Sequence, residues 1–150
     1  MQSIKLIVIA LIIGVVGCKK DYVKLNDDEI RNYISSNNLV AEKTAEGLYY
    51  VINEEGSGER PQVSDEVTVH YSGYLTDGTI FDSSYDRGEK ITFPLSGVIQ
   101  GWQIGIPLIK EGGSCKLMIP SHLAYGANPP SRSIPKNAVL IFDIELFTVN

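Results

Sequence analysis

The feature that most constrains the fold is a two-residue alternation of apolar and polar side chains in VTVHYSGYL, residues 67–75. In an extended chain Val67, Val69 and Tyr71 fall on one face, while His70 falls on the other. Such alternation predicts a β-strand with one buried face. Another layer must therefore cover Tyr71 and its neighbours, and His70 is expected to lie on the outside.

Several other segments have the character of short strands, and turn residues separate them. They are LYYVIN (48–53), ITFPL (91–95), CKLMIP (115–120) and AVLIFDIELF (138–147). In contrast, VIQGWQIGI (98–106) is apolar at helical spacing, and Pro107 limits its extension. Strands and helices do not alternate as in a parallel sheet. The pattern predicts an α+β fold in which a curved antiparallel sheet of about five strands wraps around one short helix.

The segment YLTDGTIFDSSYDRG, residues 74–88, places an aromatic side chain beside a carboxylate. Asp77-Gly78 predicts a two-residue hairpin turn. Phe81 directly precedes Asp82, and Arg87 follows five positions later. A partly buried carboxylate needs a positive or hydrogen-bonding partner to keep its charge, and Arg87 is the expected partner. The alternative is a surface ion pair that contributes about 0–1 kcal/mol.

The amino-terminal residues have the pattern of an export signal. Leu6–Val16 is an apolar run that follows one positive charge, Lys5. It is shorter than the roughly 20 residues that a membrane-spanning helix needs. Gly17 and Cys18 end the run, which resembles the lipobox of bacterial lipoproteins. We therefore predict a lipoprotein signal peptide in residues 1–17 and lipidation of Cys18 by acyl chains such as palmitate. The alternative is an ordinary signal peptide with an incidental cysteine.

Between this signal and the strands lies a short polar region. Lys19–Leu25 is predicted to be a flexible tether, and Asn26 is predicted to cap a short amphipathic helix over about Asp27–Ser36, with Glu29 as its reciprocal partner. The sequence leaves open whether this helix packs on the domain or lies beside it. The predicted boundaries are 1–17 for the signal peptide, 18–46 for the acylated cysteine, tether and helix, and 47–150 for the folded domain.

Charge and composition exclude several functions. The net charge of −5 and the isoelectric point near 5.0 disfavour nucleic acid as a partner. Two histidines without a CxxC or HExxH pattern predict no metal site and no cofactor. A hydrolytic site is disfavoured because no nucleophile elbow is present. If Cys18 is acylated, Cys115 is the one thiol left and an intramolecular disulfide cannot form.

A family resemblance rests on four ordered motifs: VHYSGYLTDGTIFDSSYDRG, VIQGWQIGI, LAYG and IPKNAVLIFDIEL. Together they resemble the FKBP family of peptidyl-prolyl cis-trans isomerases over about Gly47 to Phe147. The amino-terminal layout resembles lipoprotein-anchored bacterial members. The resemblance implies an FKBP-like fold and an enzyme that accelerates rotation of X-Pro bonds in exported proteins. It also implies proline-containing polypeptides as substrates, macrolide-type inhibitors and a monomer, held at a membrane outside the cytoplasm.

The resemblance also implies roles for particular residues. Trp102 would form the floor under a proline ring, and the backbone N–H of Ile99 and the hydroxyl of Tyr125 would donate to the substrate backbone. Asp82 would stand at the rim, held by Arg87 and by the Tyr71 hydroxyl. The expected catalytic residues are Asp82, Tyr125 and Trp102. The residues expected to bind substrate are Tyr71, Phe81, Arg87, Ile91, Phe93, Val98, Ile99, Phe142 and Ile134, the last covering the pocket from a long loop.

The sequence departs from the family at Ile91, where an aromatic residue is common. It also departs near Pro130 and Ser133, where a histidine and an aliphatic residue are frequent. These changes concern substrate preference and inhibitor affinity. Two alternative functions stay open: a non-catalytic module that binds proline-containing segments as a chaperone or scaffold at the cell envelope, and a surface interaction protein that docks through the predicted Asn26–Ser36 helix.

Overall fold

The computed structural model describes residues 20–150. The expected signal peptide and the lipidation site Cys18 lie outside the described residues. The helices are α1 (Tyr22–Ser36), α2 (Ser84–Arg87) and α3 (Gln100–Gly105), and the strands are β1 (Glu42–Lys43), β2 (Tyr49–Glu54), β3 (Glu66–Tyr74), β4 (Ile80–Ser83), β5 (Ile91–Pro94), β6 (Ser114–Ile119) and β7 (Leu140–Val149). Within this part of the chain, none of the helices has the length and apolarity needed to cross a membrane.

All strands belong to one antiparallel sheet with the order β1-β2-β6-β7-β3-β4, and β5 pairs with β3. The expected α+β fold, an antiparallel sheet with a short helix against it, is confirmed. The sheet has seven strands rather than about five. The additional strands are β1, whose two residues are too few to show alternation, and β4, a four-residue strand that follows the predicted hairpin turn.

Helix α3 covers one face of the sheet, which we call the inner face. Gly101 and Gly105 lie four positions apart and so share one side of this helix. A Cβ atom added to Gly101 would lie 2.5 Å from Cγ2 of Ile119, and one added to Gly105 would lie 2.5 Å from Cδ1 of Leu117. The two glycines therefore let the α3 backbone approach β6 closely, which brings Trp102 down onto the sheet.

Helix α1 covers the opposite, outer face. Its fully buried Ile30 packs in a second apolar cluster with side chains of β2, β6 and the chain around β7. The other buried members are Tyr49, Met118, Val139 and Ile141. The sheet is therefore buried on both faces, which explains why Tyr49 and Ile141 are buried although they alternate with the inner residues. Of the two placements that the sequence left open for this helix, packing on the domain is the one observed.

Two details of α1 differ from the sequence-based expectation. The helix begins at Tyr22, within the segment Lys19–Leu25 that was expected to be a tether, and the side chain of Asp21 caps it by accepting the Lys24 N–H at 3.2 Å. Asn26 is therefore inside the helix, and its expected role as a cap is wrong. Its side chain is drawn instead into contacts with residues about a hundred positions away, which a local pattern does not show.

The hairpin after β3 also differs from the prediction. The Leu75 N–H donates to the Thr79 carbonyl at 2.9 Å, so the loop has three residues, Thr76 to Gly78, rather than two. The Gly78 N–H donates back to the Leu75 carbonyl, and Gly78 has φ +88°. A turn that ends in a left-handed glycine is the usual three-residue hairpin loop. The Asp77-Gly78 pair predicted the position of the turn correctly, but the predicted loop length of two residues is wrong.

We predict that Gly101→Ala lowers the free energy of unfolding. The added methyl group meets the fully buried Ile119, and overpacking of this kind costs about 1–3 kcal/mol, more than the gain in helix propensity of up to about 1 kcal/mol. Urea unfolding measures the difference. Gly97→Ala is the matched control, because a Cβ atom at Gly97 would meet nothing within 4 Å. Equal or greater stability of Gly101→Ala would contradict the close approach of α3.

Candidate active site

An apolar cavity of about 350 Å³ opens at one edge of the inner face, beside α3. It is lined by Tyr71, Phe81, Asp82, Ile91, Phe93, Gly97, Val98, Ile99, Trp102, Tyr125 and Phe142. Another cavity, of about 390 Å³, lies beside the start of α1, and charged residues such as Asp27, Lys43 and Glu46 contribute to its lining. An apolar, aromatic lining with a few polar groups is typical of a small-ligand site. We therefore take the first cavity as the candidate active site.

The floor of the cavity is the indole of Trp102, which is 5% exposed. Its ring centroid lies 5.0 Å from that of Tyr71 and 5.1 Å from that of Phe142, both nearly perpendicular, and 5.4 Å from that of Phe93. Edge-to-face aromatic pairs at these distances are favourable beyond their buried area. Three neighbouring rings therefore fix the orientation of the indole, so that the floor is preformed.

One wall of the cavity depends on a glycine in β3. The rings of Phe81 and Phe142 meet edge to face, with centroids 5.5 Å apart. A Cβ atom on Gly73 would lie 2.7 Å from Cε1 of Phe142 and 2.8 Å from Cζ of Phe81. Any larger side chain at position 73 would push these two rings away. The absence of a side chain there lets both rings pack over the strand.

A β-bulge explains why Phe81 and Asp82, which are adjacent in the sequence, both line the cavity. Gly73 pairs with Asp82 whereas Tyr74 pairs with Ile80, so β4 carries one extra residue at Phe81. In a regular strand neighbouring side chains point to opposite faces. A bulge interrupts this alternation and redirects a side chain. Here the interruption brings an aromatic wall and a carboxylate to the same opening.

The carboxylate of Asp82 is held by two donors. The Tyr71 hydroxyl donates to Oδ2, and Nη1 of Arg87 donates to Oδ1. The second guanidinium nitrogen, Nη2, donates to the Tyr71 hydroxyl oxygen at 3.1 Å. The three side chains therefore form a closed triangle at the mouth of the cavity, and Arg87 belongs to it without lining the cavity itself.

These contacts decide the charge of Asp82. Partial burial acts to raise the pKa of its carboxyl group, but the hydrogen bonds from Tyr71 and Arg87 and the positive charge of Arg87 outweigh burial, so the pKa lies below the ordinary value. Asp82 is thus a carboxylate at neutral pH. Its side chain and that of Arg87 are 42% and 43% exposed, so solvent screens the pair and its direct contribution to stability is small. The geometric consequence of the triangle is that Asp82 and Arg87 both hold the Tyr71 hydroxyl.

Besides the buried indole Nε1 of Trp102, two hydrogen-bond donors of the cavity lining have no partner among residues 20–150. The Tyr125 hydroxyl makes no hydrogen bond there, and the side chain is 36% exposed at the cavity mouth. Burial and the nearby charge of Asp82 raise the pKa of Tyr125, so its hydroxyl keeps its proton at neutral pH. The backbone N–H of Ile99, at the N-cap of α3, is likewise unpaired within the described residues. Both groups can donate to carbonyl oxygens of a bound chain.

Ten of the twelve residues expected at the site line this one cavity. They are Tyr71, Phe81, Asp82, Ile91, Phe93, Val98, Ile99, Trp102, Tyr125 and Phe142. Arg87 reaches the rim through Asp82. Their proposed roles toward a substrate stay predictions.

Ile134 does not line the cavity. It is 6% exposed and packs in the main core. The reason is the hydrophobic effect: Ile134 is a large apolar side chain in a loop rich in polar residues and prolines, and burying it anchors that loop. The expectation that it covers the pocket does not fit this position. Gly97, by contrast, lines the cavity and was missed, because a glycine offers no side-chain chemistry to point to it.

Among residues 20–150, the reactive side chains His70 and Cys115 lie outside the cavity. The ring of His70 stacks on Tyr85 with centroids 4.0 Å apart, on the outer side of β3. Cys115 is 1% exposed, and burial raises its pKa to about 12, so the thiol is not reactive. Within residues 20–150, no group of three or more His, Cys, Asp or Glu side chains could hold a metal ion.

Comparison with known proteins adds an independent line of information. The family model described as "FKBP-type peptidyl-prolyl cis-trans isomerase" matches residues 57–147. A protein of Aeromonas hydrophila named FKBP-type peptidyl-prolyl cis-trans isomerase FkpA is 46% identical over 132 residues, which cover 87% of this chain and 48% of that protein. The chain thus spans about half the length of this curated relative.

Solved structures agree with this similarity. The crystal structure of FkpA from Escherichia coli has a TM-score of 0.76 and 43% identity, covering 85% of this chain and 61% of that one. A peptidyl-prolyl cis-trans isomerase from Pseudomonas syringae has a TM-score of 0.72 and 29% identity, covering 88% of this chain and 98% of that one. The similarity therefore extends over the strands and helices that build the cavity.

Proposed function

Because the chain belongs to the FKBP-type peptidyl-prolyl cis-trans isomerase family, we propose that it accelerates cis–trans rotation of X-Pro bonds in polypeptides. The observation that carries this proposal is the aromatic cavity, in which the Trp102 floor and two unpaired donors, from Ile99 and Tyr125, surround a space large enough for a proline ring. Macrolide-type inhibitors are expected to occupy the same cavity.

The chemistry requires no bond to break. Rotation about a peptide bond faces a barrier of about 18–20 kcal/mol, and unaided X-Pro isomerisation takes tens to hundreds of seconds. The barrier falls if the site binds the twisted bond more tightly than the planar one. No nucleophile, metal or proton transfer is needed. A cavity whose lining is mainly aromatic and aliphatic can therefore perform this reaction.

The side chains of the cavity fit such preferential binding. The Trp102 face would hold the proline ring, while the Ile99 N–H and the Tyr125 hydroxyl hold the backbone on either side. The surrounding aromatic rings exclude water from the imide, and this disfavours its planar form because that form is the more polar. Each 1.36 kcal/mol of preference for the twisted form gives a tenfold acceleration.

We predict that the chain accelerates isomerisation in a protease-free assay and that Tyr125→Phe lowers kcat/KM about tenfold. The estimate corresponds to the loss of one hydrogen bond to the substrate, about 1–1.5 kcal/mol. Trp102→Ala should lower it further, with circular dichroism checking that the variant folds. Tyr85→Phe is the matched control, because the Tyr85 hydroxyl bonds Glu145 away from the cavity.

The outcomes separate the proposal from its main alternative. Absence of acceleration by the folded wild-type chain would contradict the enzymatic function. If the same chain still bound a proline-containing peptide at Trp102, the non-catalytic binding module would be the better description. If it bound partners only through α1, the surface interaction protein would be favoured.

We also propose that acyl chains on Cys18 hold the domain at a membrane outside the cytoplasm, where its substrates are exported proteins. The support is in the sequence: the apolar run Leu6–Val16 is followed by Gly17-Cys18. Several acyl chains on one residue hold a protein more firmly than a single chain does. We further propose a monomer, since one chain supplies all the residues of the cavity.

Metabolic labelling with a palmitate analogue tests the anchor. In a bacterial host the full chain should take up the label and appear in the membrane fraction. Cys18→Ala should abolish both, whereas the matched variant Cys115→Ala should retain both, because Cys115 is a buried core residue. Labelling that persists in Cys18→Ala, or a wild-type chain without label, would contradict the proposal.

A further inference from the structure

Asn26 is an unusual residue to find in the interior of a helix. Asparagine has a poor helix propensity because its side chain competes with the backbone for hydrogen bonds. Yet Asn26 lies in the second turn of α1 and is only 3% exposed. A buried amide needs partners, or it destabilises the fold. The fold therefore depends on which groups the Asn26 amide meets.

All three hydrogen bonds of the Asn26 side chain go to the two ends of one loop. Its Oδ1 accepts the backbone N–H of Ser121 at 2.8 Å and the Ser121 hydroxyl at 2.6 Å. Its Nδ2 donates to the backbone carbonyl of Asn137 at 3.2 Å. Ser121 and Asn137 lie at the two ends of the segment between β6 and β7 that carries Tyr125. One side chain of α1 therefore joins both ends of this segment.

The same two residues hold the neighbours of Tyr125. The Ser121 carbonyl accepts the N–H groups of Ala124 at 3.0 Å and of Gly126 at 2.9 Å. The Asn137 N–H donates to the Gly126 carbonyl at 2.7 Å. The residues on both sides of Tyr125 are thus tied to the two residues that Asn26 holds.

The rest of α1 gives Asn26 a fixed position. Ile30, one helical turn further on, is fully buried against the outer face of the sheet. Asn26 therefore projects from a packed helix rather than from a mobile arm. The loop that it joins contains Pro129, Pro130 and Pro135 and has no regular structure over most of its length. Such a segment depends on side-chain contacts at its ends for a defined conformation.

We propose that Asn26 is a positioning residue that sets the place of the Tyr125 hydroxyl at the cavity mouth. Asn26 does not touch the cavity and acts through Ser121 and Asn137. The inference rests on the proposed isomerase function in so far as Tyr125 binds substrate. It gives α1 a part in the activity, although α1 lies outside the family match of residues 57–147.

Hydrogen exchange in the full chain tests the structural half of this inference without reference to activity. Asn26→Ala should speed exchange of the Ala124 and Gly126 amides at least about tenfold, because the residue that accepts both bonds is no longer fixed. Exchange of the amide of Tyr71 in β3, which donates to the hydroxyl of Ser84 in α2, should be unchanged and serves as the internal reference. Unaltered protection of Ala124 and Gly126 would overturn the inference, whatever the activity of the wild type.

A double-mutant cycle tests the functional half. We expect Asn26→Ala to lower kcat/KM about fivefold in the wild-type background but less than twofold when Tyr125 is already phenylalanine, since both changes remove the same interaction. Equal losses in the two backgrounds, or no loss in either, would overturn the positioning role. If the wild type were inactive while the two amides lost protection in Asn26→Ala, the proposed function would fail, and the role of Asn26 in fixing the loop would stand.

Two further variants distinguish a specific role of Asn26 from a general loss of stability. Ser121→Ala removes one of the three hydrogen bonds and leaves the Ser121 N–H paired with Asn26. If Asn26→Ala does not fold, Ser121→Ala takes its place. It should lower kcat/KM by a smaller factor and show the same non-additivity with Tyr125→Phe. Ile109→Val weakens a fully buried site that precedes β6 and lies outside the loop, and it should cost about 0.5–1.5 kcal/mol of stability. It should leave kcat/KM unchanged. A loss in Ile109→Val as large as that in Asn26→Ala would contradict a specific role.

Discussion

The cavity depends first on the packing of one indole against three aromatic rings. Trp102 meets Tyr71 and Phe142 edge to face and Phe93 at an angle, so it can neither tilt nor withdraw without breaking several contacts. That packing is possible only because α3 lies close to β6, where Gly101 leaves room for Ile119. The absence of a side chain at Gly101 thus determines how deep the cavity is and what shape it has.

The polar part of the site is arranged around this floor rather than within it. A bulge in β4 brings Asp82 to the cavity mouth, and Tyr71 and Arg87 hold the carboxylate there in its charged form. Tyr71 belongs to both sets, since its ring packs on Trp102 while its hydroxyl bonds Asp82. The rim and the floor are therefore coupled through the Tyr71 side chain. A substitution at Arg87 is expected to alter the packing of the Trp102 indole.

The sequence predicted the inner core better than the connections around it. Alternation in β3 and helical spacing around Trp102 indicated an antiparallel sheet with a short helix, and resemblance brought most of the cavity residues together. Local patterns did not reveal the length of the hairpin loop, the start of α1 or the burial of Ile134. Asn26 shows the reason: its partners lie 95 and 111 residues away, so its apparent role as a cap reflected only its neighbours in sequence.

The central claim is that the Trp102 indole receives a proline ring. Nuclear Overhauser effects between a short X-Pro peptide and the chain measure this contact directly, because Trp102 is the only tryptophan in the sequence. The structure predicts cross-peaks between the proline ring protons and the indole protons. Peptide binding with cross-peaks only to other surfaces, and none to the indole, would contradict the account.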